Sequence, residues 1–325
     1  MNQTSMNRKI LITGGLGYIG ARLALHLRSL GAAIWLMTRR SLDDYPAWCR
    51  GSDIQVVRGD LQNRSELNQL CDGMDSVIHL AAMHHSDCAG DPVSAVAVNG
   101  RATVKLLQAA KRCGVERFVY FSTIHVYGTP LIGTINETSL PRPNNAYSIT
   151  HRLAEDFVLS AHDHKEIAGV VLRLSNGVGA PVDPDINQWG LVVNDLCRQA
   201  VQDGKLVLKS SGLQQRDFVT LFDVERVVEH FLNKDVDQWD DGLFNVGGEN
   251  SISIYSVSQM IATRALELFH IKVPVERPSP EEGEKQSSID YRIDKLKTSG
   301  FTIHGSLQNE IDETLKMCHK TFSGK

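Results

Sequence analysis

The chain has 325 residues, 42% of them hydrophobic, and carries 34 Lys and Arg against 38 Asp and Glu, for a formal net charge of −4. That length is ample for a large buried core, in one domain or two fused ones. The slightly acidic balance argues against a nucleic-acid binder, which would show a basic stripe.

In chain order, the N-terminal MNQTSMNRK lacks the apolar core of a signal peptide, and the following run, 10-ILIT-13, is far too short to span a bilayer. Short apolar runs predict strands at 9–13, 33–37, 54–57, 76–80, 117–122 and 169–174. Between them, 18–30 and 93–114 repeat apolar residues every three or four positions, as amphipathic helices require. Gly31 and Gly114 stand where those helices stop. Near-continuous apolar strands alternating with helices predict an α/β fold, a doubly wound parallel sheet of the Rossmann kind. Its ligands sit at the carboxyl ends of the strands. After about residue 175 the rhythm changes. Pro181 and Pro184 mark irregular chain, helical patterns recur near 187–203 and 253–269, a Pro- and Glu-rich stretch runs over 274–285, and a last helix is expected at about 306–320. The expected organisation is a dinucleotide-binding domain over 1–178, to which 212–246 returns, with 179–325 forming mainly a smaller substrate-binding lobe. The six cysteines are widely spaced with no CxxC pair, which predicts reduced thiols in a cytoplasmic protein.

The first predicted strand runs into 13-TGGLGYIG-20. Gly14, Gly17 and Gly20, with Tyr18 and Ile19 between them, give a tight turn, close backbone approach to phosphate, and helix amides aimed at a pyrophosphate. The end of the second strand selects the dinucleotide. NAD-selective proteins place an acid there for the ribose 2′-hydroxyl. Here Thr38 stands in that place, followed by Arg39 and Arg40. Guanidinium binds a 2′-phosphate that a carboxylate would repel, so NADP is expected, with NAD as second choice. Farther on, 147-YSITH-151 opens a helical pattern with Tyr147 and His151 on one face. A tyrosine followed one turn later by a cation is an acid/base arrangement whose usual cation is lysine. The loop 83-MHHSDCAGDP-92 carries His84, His85, Asp87 and Cys88, whose spacing matches no zinc pattern, so no metal is expected.

On these residues the chain resembles the extended short-chain dehydrogenases/reductases, in the branch called NAD-dependent epimerases/dehydratases, over about residues 9–300. The glycine turn is one part of the likeness. GDL (59–61) resembles the family turn in which Asp60, beside Leu61, contacts the adenine. HLAA (79–82) resembles the loop that passes under the cofactor and brings in Leu80, Ala81 and Ala82. Asn99 lies where the family carries a structural asparagine. 121-FSTIHVYG-128 resembles the strand end with the active-site hydroxyl, and Ser122 beside it is expected near the cofactor. LRLSNGVG (172–179) resembles the segment leading into the substrate lobe, and 216-RDFVTLFDV-224 a stretch whose arginine contacts substrate phosphate.

The resemblance implies that Tyr147 exchanges a proton with the substrate oxygen while hydride moves to or from nicotinamide, and that Thr123 holds the same oxygen. It implies a nucleotide-activated sugar, or a similar phosphorylated or cyclic polyol, as substrate, with Asn176 and Arg216 on the diphosphate; His84 and His85, in the loop after the fourth strand, are expected to face the nicotinamide or the substrate. The family's 4,6-dehydratases follow the hydroxyl with an Asp-Glu pair. Ile124 and His125 stand there instead, which disfavours dehydration and leaves epimerisation or ketone reduction. The lysine position is His151. Three readings are open: His151 serves by imidazolium charge or by a ribose hydrogen bond, the oxidised nicotinamide supplies the field, or the protein binds cofactor without competent chemistry, as a sensor or scaffold. Reduction asks least of this position, because the tyrosine then donates its proton and can stay neutral. A homodimer is implied through helices at about 93–113 and 146–163; the apolar Leu106, Phe157 and Val158 fit either that contact or burial within one subunit.

Overall fold

The computed structural model describes residues 6–41, 45–50, 53–249, 251–284 and 288–323. Lys285, at the end of the expected Pro- and Glu-rich stretch, lies outside them. The strands β1 (Lys9–Thr13), β2 (Ala33–Thr38), β3 (Ile54–Arg58), β4 (Ser76–His79) and β5 (Arg117–Thr123) join two later strands, Ala168–Leu174 and Leu243–Val246, in one sheet. The spatial order is Leu243–Val246, Ala168–Leu174, β5, β4, β1, β2, β3, and every pairing is parallel. The apolar runs form strands because helices cover both faces: Ile10, Leu11 and Ile12 of β1 are all fully buried. All six strands expected from the sequence are present, with ends within a residue or so of the apolar runs. The chain reverses its order of addition between β1 and β4, and a crevice opens there at the carboxyl ends.

Two helical expectations change in detail. The segment after β4 forms a short helix, His85–Gly90, rather than a loop, followed by Pro92–Ala95, a π-helical stretch Val96–Arg101 and the α-helix Ala102–Arg112. The π stretch sits where Asn99 and Gly100 are buried. A Cβ at Gly100 would come within 2.7 Å of the end of the Leu153 side chain, so this turn packs closely against the helix Ala146–Asp163. The helix expected near 187–203 begins later, at Val192, and ends at Gln202.

Beyond the main sheet, Asn176–Val178, Gln215–Thr220 and Ser251–Ser253 form a three-stranded sheet. The helices Val192–Gln202, Ile254–Phe269 and Leu307–Phe322 pack a separate core through Cys197, Ile261 and Leu315. The helix Leu221–Asn233 lies back against the first helix, Tyr18–Ser29. Arg22 joins the parts: its Nε lies 2.7 Å from Glu225 and its Nη1 2.8 Å from Glu310 of the last helix.

Candidate active site

The glycine turn has its shape because side chains would not fit. Gly14 has φ +72°, and a Cβ there would stand 2.8 Å from the Ala81 amide nitrogen. A Cβ at Gly20 would run into the Gly14 carbonyl. Gly17 precedes the first helix and supplies no side-chain cap, so the helix start carries amides that a phosphate can meet. This bare backbone cradle fits a dinucleotide. The cleft it opens onto encloses about 680 Å³.

At the β2 and β3 ends the cleft is lined by Thr38, Arg39, Arg40, Asp60 and Leu61. Both arginines are exposed, and the Arg40 amide donates to Thr38 Oγ1 at 3.1 Å. Asp60 Oδ1 accepts from the Gln62 amide at 2.8 Å, which fixes the turn after β3. Leu80, Ala81 and Ala82 run along the cleft wall beside Gly14, and Ile19 and Tyr18 line its other side. The Tyr18 hydroxyl is turned away, donating to the Gly179 carbonyl at 2.5 Å.

The middle of the cleft holds Thr123, at the last position of β5, and Tyr147, in the first turn of the helix Ala146–Asp163. Asn145 caps that helix by accepting from the Ser148 amide at 3.0 Å, which sets where Tyr147 starts. Burial pushes the Tyr147 phenol up to about 12, with Cys88 adding to the rise and a hydrogen bond with the Thr123 side chain opposing it. At pH 7 Tyr147 is therefore a neutral proton donor.

His151 does not line the cleft. It is 4% exposed and sits behind Tyr147, with the two rings edge to face at 4.4 Å. Its Nδ1 shares a hydrogen bond of 2.8 Å with the Tyr120 hydroxyl, and its Nε2 is buried without a partner among the described residues. Burial, helped by His125, pushes its pKa down to about 4. The imidazole is neutral at pH 7, so it brings no positive charge to the phenol.

Asn99 and Ser122, expected near the cofactor, also stand behind the cleft wall. Asn99 Oδ1 accepts from the Met83 amide at 2.8 Å, and its Nδ2 donates to Thr150 Oγ1 at 3.0 Å. The asparagine thus ties the His84–His85 segment to the Tyr147 helix. Ser122 Oγ donates to Glu155 at 2.5 Å. Cys88 points into the same buried layer, against Met83 and Asn99.

On the substrate side the cleft is lined by His84, His85, His125, Asn176 and Arg216. Asn176 Nδ2 donates to the Asp217 carbonyl at 2.8 Å, which orients its amide. The His85 ring lies 5.9 Å from that of Tyr147. His125 entered the sequence analysis only as a missing acid, yet it faces the cleft two residues after Thr123.

Sequence reasoning missed one buried layer. Arg173 pairs with Glu155 through Nε and Nη2 at 3.0 and 2.8 Å, with both side chains fully buried. Arg173 also donates to the Tyr127 hydroxyl at 2.9 Å, and Tyr127 donates to Asn245 at 2.7 Å. These bonds satisfy charges that would be costly to bury alone. Two signals were present: Glu155 continues the face of Tyr147 and His151, and Arg173 interrupts an apolar strand. A second buried chain runs from Thr13 to His79 Nδ1 at 2.6 Å and from His79 Nε2 to Thr103 at 2.8 Å.

Fold and cleft together define a Rossmann-type protein with a tyrosine and a threonine lining its cleft. The sequence matches the NAD dependent epimerase/dehydratase family over residues 10–247, and the chain belongs to that family. It is 26% identical over 301 residues to the dTDP-D-glucose 4,6-dehydratase of Mus musculus, covering 90% of this chain and 79% of that one. The structure of MoeE5 in complex with UDP-glucuronic acid and NAD superposes with a TM-score of 0.77 at 25% identity, covering 96% of this chain and 99% of that one. RMD from Pseudomonas aeruginosa, complexed with NADPH, shares the fold with a TM-score of 0.76 at 20% identity, covering 97% of this chain and 99% of that one. Among the described residues, no helix is long and apolar enough to cross a membrane.

Proposed function

We propose that this protein is an NADP-dependent oxidoreductase that reduces a ketone on a nucleotide-activated sugar. The observation that carries this reading is the state of the acid/base pair: Tyr147 is a neutral phenol, and the residue one turn on is a neutral, buried imidazole. A neutral phenol readily gives a proton to an oxygen that is gaining electrons. It does not readily take one from an alcohol, which oxidation requires.

The dinucleotide supplies hydride. The chain's own residues do the rest. Gly14, Gly17 and Gly20 leave room for the pyrophosphate, and Arg39 and Arg40 face a 2′-phosphate with bidentate donors. Thr123 and Tyr147 hold the ketone oxygen, and Tyr147 delivers its proton there. Asn176 and Arg216 take the sugar nucleotide's phosphates, and His84 and His85 border the sugar. Ile124, 1% exposed, holds the place of the dehydratase acid and has no proton to transfer, so elimination of water is disfavoured. The relatives include nucleotide-sugar enzymes, which supports the substrate class. A second copy of the chain docks on Val96, Ile149, Leu153 and Phe157, which stay exposed on the helical segments after β4 and β5.

Oxidation of NADPH followed against a panel of 4-keto nucleotide sugars tests the reading. Turnover with one of them, and a much slower reverse reaction from the alcohol, is the expected result. Tight NADPH binding with no turnover on any ketone would leave a cofactor sensor or scaffold in its place.

A further inference from the structure

Ketone reduction leaves a second cavity without a task. It encloses about 430 Å³ between the helix Leu221–Asn233 and the segment 300–304, and it shares no lining residue with the cleft that holds Tyr147. Small-molecule sites span roughly 300–1,000 Å³, so the cavity is large enough to hold one. Arg226, His230 and Lys234 line it at intervals of four residues, one helical turn after another on the same face. Across from them Gly300 has φ +98°, and a Cβ there would have only His230 Cε1 within 4 Å, at 3.9 Å. The imidazole therefore looks onto open space.

The charges around this cavity do not cancel. Lys234 Nζ donates to the Gln238 side-chain carbonyl at 3.0 Å and to the Ser299 carbonyl at 2.9 Å, both neutral, and among the described residues no carboxylate pairs with it. Arg226 is fixed in place: its Nη1 pairs with Asp223 at 3.1 Å and donates to the Thr302 carbonyl at 2.8 Å, and its guanidinium lies over the Phe301 ring. Glu229, the single carboxylate of the lining among the described residues, turns to the first helix, with Oε2 2.9 Å from His26 Nε2. Burial, Lys234 and Arg226 push His230 below its ordinary value against an opposing bond at Ser299, so the ring is neutral at pH 7. Ser299 Oγ donates to the Leu296 carbonyl at 2.7 Å and so accepts from His230 Nε2 at 2.9 Å. That leaves Nδ1 as an acceptor, with no partner among the described residues.

We propose that this cavity binds a phosphorylated, hydroxyl-bearing small molecule, with Lys234 on the phosphate and His230 on a hydroxyl. An ammonium with no counter-charge suits a phosphate as a point charge. A neutral imidazole with a free lone pair suits a hydroxyl donor. Arg226 adds positive field at the other end of the row. A bare phosphate would leave the Nδ1 acceptor and most of the volume unused, so a phosphate ester binds more tightly than the free anion. The ligand does not compete with the dinucleotide, because the two sites share no residue.

Calorimetric titration of the full chain with glucose 1-phosphate, ribose 5-phosphate, glycerol 3-phosphate and inorganic phosphate is the test, run with and without saturating NADPH. At least one ester is expected to bind, about tenfold or more tighter than inorganic phosphate and equally well with NADPH present. Lys234→Met and His230→Leu are each expected to weaken that ester by about tenfold, the size of a lost charge-assisted or buried hydrogen bond. Arg216→Gln, in the Tyr147 cleft, is expected to change nothing. A cooperative thermal transition shows that each variant is folded. The proposal is overturned if no ester binds at millimolar concentration, if inorganic phosphate binds as tightly as the esters, or if His230→Leu leaves their affinity alone. It is also overturned if Arg216→Gln abolishes binding that Lys234→Met preserves, which would put the ester in the cleft. The titration reads no turnover, so its outcome is independent of the ketone-reductase reading.

Discussion

Tyr147 keeps its proton because burial pushes its phenol up to about 12, with Cys88 adding to the rise. The buried imidazole of His151 takes the place of a cation, and the phenol stays near the top of its range. Tyr147→Phe is predicted to cut NADPH-dependent turnover by about 10²–10⁴, with NADPH binding retained, in a steady-state assay paired with a binding titration. His151→Lys is predicted to lower the phenol's pKa and to favour the oxidation direction more than the reduction direction. The measurement is the ratio of forward to reverse rates across pH, and an unchanged ratio would remove residue 151 from the proton chemistry. The same histidine also makes folding pH-sensitive. Its folded pKa is about 4 against an ordinary value of 6.5, and that of His79 is pushed down to about 3 by burial. Between those values the unfolded chain binds more protons than the folded one. Stability is therefore complete above pH 6.5 and falls as pH drops toward 4, by an amount on the order of a few kcal/mol for the two together. Urea midpoints taken from pH 4 to 7 should rise through this window, and His151→Leu should flatten part of the rise.

At the scale of elements, the proposed choice of cofactor rests on the ends of β1 and β2. The glycine turn was legible from its spacing: Gly20 meets backbone of its own turn, while the contact that holds Gly14 to glycine comes from Leu80 and Ala81 after β4 and was visible only in the fold. Arg39 and Arg40, exposed just beyond the end of β2, line the cleft; their part in holding a 2′-phosphate is the proposal that substitution tests. Replacing both by Asp and Ser respectively is predicted to weaken NADPH binding by about tenfold or more while sparing NADH, measured by titration of the two cofactors. The helix pairings were less legible. Of the three apolar residues that fit either a subunit contact or burial, Leu106 and Val158 are fully buried within the chain and Phe157 is 45% exposed. Amphipathic spacing says that a helix has an apolar face, not what covers it. Phe157→Glu is predicted to shift the protein toward monomer in sedimentation velocity. A monomeric wild type would remove the proposed docking face.

For the whole molecule, the long-range ties are the ones the sequence hid. Arg22 reaches Glu225 and Glu310, more than 200 residues away along the chain, and Arg173 reaches Glu155 beneath the active-site helix. Nothing in their own segments names the partner each one reaches. Strand positions, the glycine turn and the tyrosine helix could be read from the sequence because spacing and backbone sterics within a few residues mark them; the order of the strands in the sheet came from the tertiary structure. Whether the imidazole of His151 is charged, where it stands relative to the cleft, and that His125 turns into the cleft were decided only by tertiary structure. Those properties depend on which distant side chains exclude water from a group, and exclusion of water is a property of the packed fold rather than of any stretch of chain.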